Sequence, residues 1–167
     1  NSRLPRDFLG DLAAQLGSVH LGERRLEALF ADFGAETVVA SVEQILDGAE
    51  RQARAAVAEW PDGVYEGEAT LDDDGFGRED IKIRARITVS GEEVEIDMTG
   101  CDPESRGFVN SSHANTQSAI AMAFSFLLDP QTPKNSGTIR PLTVKLQQGT
   151  MVWPSEGLPV TMCTSHC

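Results

Sequence analysis

Carboxylates, carboxamides and hydroxyls gather at four places along the 167 residues. "DLAAQ" sets Asp11 and Gln15 one helical turn apart on one face. "DMTG" puts Asp97 and Thr99 just past an alternating, strand-like stretch. "NSSHANT" places Asn110, Ser111, Ser112 and Asn115 ahead of an apolar run, where the first N–H groups of a helix point outward. "PKNSGTIRP" brings Asn135, Gly137 and Arg140 into one loop. Groups of these types orient a polar ligand by hydrogen bonding, and a helix N-terminus together with Arg140 suits a carboxylate or a phosphate. Each pattern taken singly is also ordinary capping and turn chemistry.

Other chemistries fit less well. "DDDG" at Asp72–Gly75 has a glycine at the sixth position of a calcium loop, Gly77, but Ile83 where the twelfth-position glutamate belongs, so a hairpin turn with solvated acids is expected. Cys163, His166 and Cys167 supply three of the four ligands of a zinc site, with His20 or His113 remote, and no second half-site accompanies them. No glycine-rich dinucleotide loop, P-loop or nucleophile elbow occurs.

The elements that must position these groups follow from hydrophobic periodicity. Leu12, Leu16, Val19, Leu26, Leu29, Phe30 and Phe33 recur at spacings of three, four and seven after Pro5, which a first helical turn tolerates. Gly34 is a stop signal, and Gly17 and Gly22 within the run suit close packing against a neighbour. A second helix is expected from Ala35 to about Glu59, ended by "WPDG". "VYEGEATL", "IKIRARITV" and "VEIDM" alternate and are separated by turns, which predicts an antiparallel meander. Lys82, Arg84, Arg86 and Thr88 mark its wet face. "NTQSAIAMAFSFLLD" is apolar around most of its circumference, as expected of a buried helix, and "LTVKLQQG" and "TMVWPSEGLPV" are extended. The fold class is α+β: two long N-terminal helices, a meander, a buried apolar helix and further strands. By region, 1–60 is helical, 61–100 is the meander and 101–167 is mixed, forming a single domain or an interior slice of a longer subunit.

Composition narrows the function. A net charge of −12 disfavours nucleic acid, whose phosphates need clustered Lys and Arg. The longest apolar run, "AIAMAFSFLL", is far short of the roughly 20 residues of a membrane span. Three unevenly placed cysteines make no disulfide framework, so a reducing, cytoplasmic setting is expected. The chain opens without Met at "NSRLP" and stops at "CTSHC", which suggests an interior piece of a longer polypeptide.

The clusters also occur in a specific order. "NSRLPRDFLGDLAAQ", "GERRLEALFADFG", "PDGVYEGEATLDDDG", "VEIDMTGCDPESRGFVN", "PKNSGTIRPLTV" and "GTMVWP" together resemble the hydantoinase B family, relatives of 5-oxoprolinase, over nearly the whole chain. The resemblance implies a part of an ATP-dependent cyclic-amide hydrolase in a hetero-oligomer with an actin-like, hydantoinase A-type ATPase subunit. A related branch implies the alternative of an acetone- or acetophenone-type ketone carboxylase, and a non-catalytic assembly module is a third reading. ATP and Mg would sit on the partner, which would activate an oxygen of the small-molecule substrate by phosphorylation. A divalent metal is expected in the full subunit, on His and Asp ligands upstream of "NSRLP", with no ligand in these residues. Asp11, Gln15, Asp97, Thr99, Asn110, Asn135 and Arg140 match motif positions and are the substrate-binding candidates, without assigned catalytic roles.

Overall fold

The structure, a computed structural model, describes residues 4–161. The candidate zinc residues Cys163, His166 and Cys167 lie outside the described residues. Two compact units are present, Asn1–Ile45 and Leu46–Cys167.

The first unit holds α1 (Pro5–Phe33), in which no residue is buried, and the first half of α2 (Ala35–Val57). Proline stands in the first turn of α1, where its missing N–H costs nothing. The helix ends at Gly34, whose φ of 82° lies in the left-handed region and whose N–H reaches Phe30 O at 2.9 Å.

In the second unit, the later half of α2 buries Ala49, Ala53 and Val57, spaced by four so that one stripe faces the core. The sheet follows: β1 (Gly63–Asp73), β2 (Glu79–Ser90) and β3 (Glu93–Asp97) form the antiparallel meander. β4 (Asn110–Ser111) leads into α3 (His113–Leu127), and the chain returns as β5 (Leu142–Lys145), parallel to β3. The order is β1-β2-β3-β5, so the sheet is mixed, and the parallel pair needs the crossover that α3 supplies. β6 (Val160–Thr161) pairs with β4 as a separate two-stranded ribbon.

Strand alternation sorts the sheet into two faces. Val57, Val89, Val94, Phe124 and Leu128 make the main core, closed by Trp60 edge-on to Phe124 at 5.9 Å between ring centroids. A second cluster joins Ile81, Cys101, Met151 and Val152. The helix α3 meets this core along one stripe, Thr116, Ile120 and Phe124, and leaves Phe126 80% exposed on the other side. Its apolar circumference therefore exceeds what this unit covers.

The "DDDG" turn departs from the solvated hairpin expected of it. Asp72 and Asp73 are exposed, but Asp74 is buried. Its Oδ1 accepts the N–H groups of Phe76 and Arg78 at 2.8 and 3.1 Å, and its Oδ2 the hydroxyl of Ser105 at 2.6 Å. Those donors offset the cost of removing the carboxylate from water.

Candidate functional site

The outer face of the meander carries a concave polar groove of about 470 Å³, lined by Glu66, Glu68, Arg84, Arg86, Asp97 and Thr99 over the backbone of Gly67, Ala85 and Gly100. Register explains the lining. Arg86 stands opposite Glu66 on one side and Asp97 on the other, and Arg84 opposite Glu68, so alternate residues of three strands bring opposite charges to one surface.

Arg84 organises one wall. Its Nε donates to Glu68 Oε2 at 2.9 Å, and its Nη1 to Asp102 Oδ1 at 2.9 Å and Gly100 O at 3.1 Å. Asp102 Oδ2 in turn accepts Lys82 N and Arg78 Nη2, both at 3.0 Å. The Lys82 amide, and then the two guanidiniums, hold the Asp102 carboxyl below the usual carboxylate range. The ammonium of Lys82 and the guanidinium of Arg84 do the same for Glu68.

Asp97 and Thr99 form the other wall. Asp97 Oδ1 accepts the backbone N–H of Thr99 at 2.8 Å and its hydroxyl at 2.6 Å, a tight turn that fixes the carboxylate at the strand end. The Thr99 hydroxyl and amide, aided by Lys145 and Arg86, lower the Asp97 pKa from its ordinary value. Among the described residues Arg86 makes no ion pair, so the groove holds a guanidinium open to solvent between two acidic strands. Such a surface offers fixed charges and hydrogen-bonding groups. Among the described residues no group of three or more His, Cys, Asp and Glu is set to hold a metal ion, and Glu68 and Asp102 are matched by cations.

The remaining candidates from the sequence stand elsewhere. Asp11 and Gln15 lie on exposed turns of α1, in the first unit. Asn110 is fully buried: its Oδ1 accepts Ser105 N at 2.8 Å, and its Nδ2 donates to the carbonyls of Ser105, Gly107 and Pro159. That amide clasps the loop leading to α3. Asn135 Oδ1 accepts Gly137 N at 2.9 Å in a turn that presses Gly137 onto α2, where an added Cβ would meet Leu46 O at 2.0 Å. Arg140 donates from Nη1 to Asp47 at 2.7 Å and Glu50 at 2.9 Å, both on α2. These two carboxylates, Glu50 foremost, raise its pKa, and they are partners that the loop pattern did not reveal.

Sequence reasoning marked Arg84 and Arg86 only as a wet face and did not select Glu66 or Glu68. Their strict alternation opposite one another across a hairpin was the available signal. On the inner face, an apolar cavity of about 260 Å³ lies between the sheet and α3, with Ser111 and Thr116 as its polar members.

Known proteins share this chain's sequence and fold. It is 32% identical over 157 residues to caprolactamase subunit beta of Pseudomonas jessenii, covering 93% of this chain and 27% of that protein. The crystal structure of the ATP-dependent caprolactamase from that organism superposes with a TM-score of 0.82 at 34% identity, over 93% of this chain and 27% of that one. A 5-oxoprolinase of Saccharomyces cerevisiae is 27% identical over 163 residues, 95% of this chain and 12% of its own length. A nucleotide-free acetone carboxylase structure shares the fold, with a TM-score of 0.70 at 17% identity over 84% of this chain and 20% of that one. The chain thus spans about a quarter or less of the proteins it matches. The sequence profile described as hydantoinase B/oxoprolinase matches residues 1–167, and the chain belongs to that family.

Proposed function

We propose that this chain is part of an ATP-dependent hydrolase of cyclic amides, working with an actin-like ATPase subunit of the hydantoinase A type. The observation that carries the reading is the 32% identity to a caprolactamase subunit beta over nearly all of the chain, together with the 0.82 superposition on the ATP-dependent enzyme. The chemistry explains the need for ATP. An unstrained amide carbonyl is a poor electrophile, and phosphorylation of its oxygen converts that oxygen into a leaving group and opens the carbon to water.

In this reading the polar groove forms part of the wall that holds the activated amide. Arg86 and Arg84 face the negative charge that develops on oxygen, and Asp97, fixed by Thr99, orients a donor on the substrate or an attacking water. Asn110 fixes the loop leading to α3, and Asn135 and Arg140 fix the 135–140 loop against α2, away from this wall.

The test is to combine the protein with its ATPase partner and ATP and to follow substrate loss. Ring opening of a lactam or hydantoin that depends on ATP supports the reading. Consumption of a ketone with bicarbonate, and none of the cyclic amides, would move the protein to the carboxylase branch whose fold it shares.

A further inference from the structure

Around the polar groove the charged side chains fall into two groups. Some are matched: Arg84 and Lys82 bond Glu68 at 2.9 and 3.2 Å, and Lys145, which stands opposite Asp97, bonds Glu95 instead at 2.8 Å. Others are not. Arg86 stands opposite Glu66 and Asp97, yet among the described residues it makes no ion pair with either. The Glu66 carboxylate likewise has no ion pair among the described residues, and Asp97 uses only Oδ1, on Thr99, which leaves Oδ2 open. Opposite positions on paired strands are close enough to interact directly. These three charges, a guanidinium between two carboxylates, instead stay apart and line one groove of about 470 Å³. Every residue of that lining belongs to the second unit, so the arrangement is internal to it.

Such a set of charges discriminates among ligands. A simple anion uses Arg86 alone and is repelled by two carboxylates. A simple amine uses the carboxylates and is repelled by the guanidinium. A molecule with a carboxylate at one end and an ammonium at the other satisfies both signs. The outer two of the three strands lie about 10 Å apart, which a short aliphatic chain bridges. Hydrolysis of a lactam makes a molecule of this kind. The oxygen of water bonds to the carbonyl carbon, the C–N bond breaks, and both protons of the water end on nitrogen, leaving a carboxylate and an ammonium on one chain. A hydantoin opens instead to a ureido acid, whose nitrogen end is uncharged.

We propose that this groove holds the ring-opened product as a zwitterionic amino acid, its carboxylate on Arg86 and its ammonium between Asp97 Oδ2 and Glu66. The ligand class rests on the cyclic-amide reading given above. The orientation follows from it: the carbonyl end of the substrate faces Arg86 and its N–H end faces Asp97, and opening the ring turns each end into the charge that the groove already complements.

Calorimetric titration of the protein as its host expresses it, without ATP, ATPase subunit or cyclic amide, tests this separately from ring opening. The probes are ω-aminohexanoic acid, hexanoic acid, hexylamine and ω-ureidohexanoic acid. The amino acid is expected to bind about fivefold tighter than each of the other three, the upper range for one partly exposed charge pair. Arg86→Gln is expected to bring its affinity down to that of hexylamine, and Asp97→Asn to bring it toward that of hexanoic acid. Glu66→Gln changes an exposed residue and is expected to weaken binding in the same sense as Asp97→Asn, which separates loss of charge from any disturbance of the Thr99 turn. Equal affinity for all four probes, tighter binding of hexanoic acid or hexylamine, no binding of the amino acid, or full affinity in Arg86→Gln would each overturn the proposal. Binding as expected in a protein that opens no cyclic amide would support the site and count against the reaction.

Discussion

Asp74 and Ser105 meet at 2.6 Å, the serine hydroxyl donating to Oδ2 of a carboxylate that is buried just past the end of β1. Ser105 Oγ also accepts Gly107 N at 2.8 Å, and Ser105 N donates to Asn110 Oδ1. One chain of hydrogen bonds thus runs from the β1–β2 turn to the start of α3. The serine hydroxyl, then the amides of Phe76 and Arg78, lower the Asp74 pKa from its ordinary value. A depressed folded-state pKa contributes stability that is fully present above the unfolded value, about 3.9, and is lost as pH falls through the folded value. Asp74→Asn is therefore expected to lower the urea midpoint at pH 7, with the gap to wild type closing progressively below about pH 4. Urea titrations at pH 3, 5 and 7 check this. A gap that is constant with pH would mean that the charge contributes nothing.

Asn110 tests whether the same network is scaffold or binding surface. With its amide saturated by Ser105, Gly107 and Pro159, Asn110→Ala leaves several backbone groups unpaired in a buried place. The expected loss is about 2–4 kcal/mol, since each unsatisfied buried group costs about 1–3 kcal/mol and relaxation recovers part. Urea denaturation measures it. The KM for a cyclic amide, corrected for the folded fraction, is expected to stay within about twofold, because 1.4 kcal/mol of direct contact would already change it tenfold.

Gly137 is predicted to tolerate no side chain. A Cβ there would lie 2.0 Å from Leu46 O, and a backbone carbonyl in a helix cannot swing aside as a flexible side chain would. Gly137→Ala is expected to cost about 1–3 kcal/mol, as overpacking does elsewhere. Gly107→Ala, where the clash is with Asp74 O at 2.2 Å, is expected to behave alike. Thermal melts of both, with Gly100→Ala as a control that meets nothing within 4 Å, separate the clash from the generic effect of the substitution.

Much of this architecture was legible in the sequence, for identifiable reasons. Ile81, Ile83, Ile87 and Val89 alternate with Lys82, Arg84, Arg86 and Thr88, and a period of two admits one register of faces. The helices followed from spacings of three and four; Gly34 ends α1 as expected, and α2 ends at Val57, two residues short of the expected Glu59. What stayed hidden depends on contacts between residues far apart in sequence. The sequence pattern does not tell Asp74 from Asp72 and Asp73; besides the local amides of Phe76 and Arg78, it is Ser105, 31 positions on, that meets its second oxygen in the buried place. Arg140 met Asp47 and Glu50 across 90 residues or more. β5 joins β3 in parallel, a pairing that local turn signals do not encode. Of the residues picked for chemistry, Asp97 and Thr99 share the groove because they are adjacent on one strand exit. The acidic members on β1 needed the hairpin register to be found.

Asp97 offers the most direct test of the groove. Thr99 donates twice to its Oδ1, and those bonds hold its pKa below the ordinary carboxylate value. An efficient general base has a pKa near the working pH, so a carboxylate depressed below about 4 serves as a fixed charge that orients and stabilises. Asp97→Asn is expected to lower kcat/KM for the proposed ATP-dependent lactam opening by roughly 10- to 100-fold, the scale of losing one preorganised electrostatic contact. The loss should be uniform from pH 6 to 9, since the wild-type group is ionised throughout. Thr99→Ser retains both donors and is expected to keep most activity, whereas Thr99→Val removes the hydroxyl and lets the Asp97 pKa rise toward its ordinary value. Profiles of kcat/KM against pH for the three variants decide the matter. A limb near neutrality that vanishes in Asp97→Asn would make Asp97 a proton-transfer group, and an unchanged kcat/KM would remove the groove from the reaction.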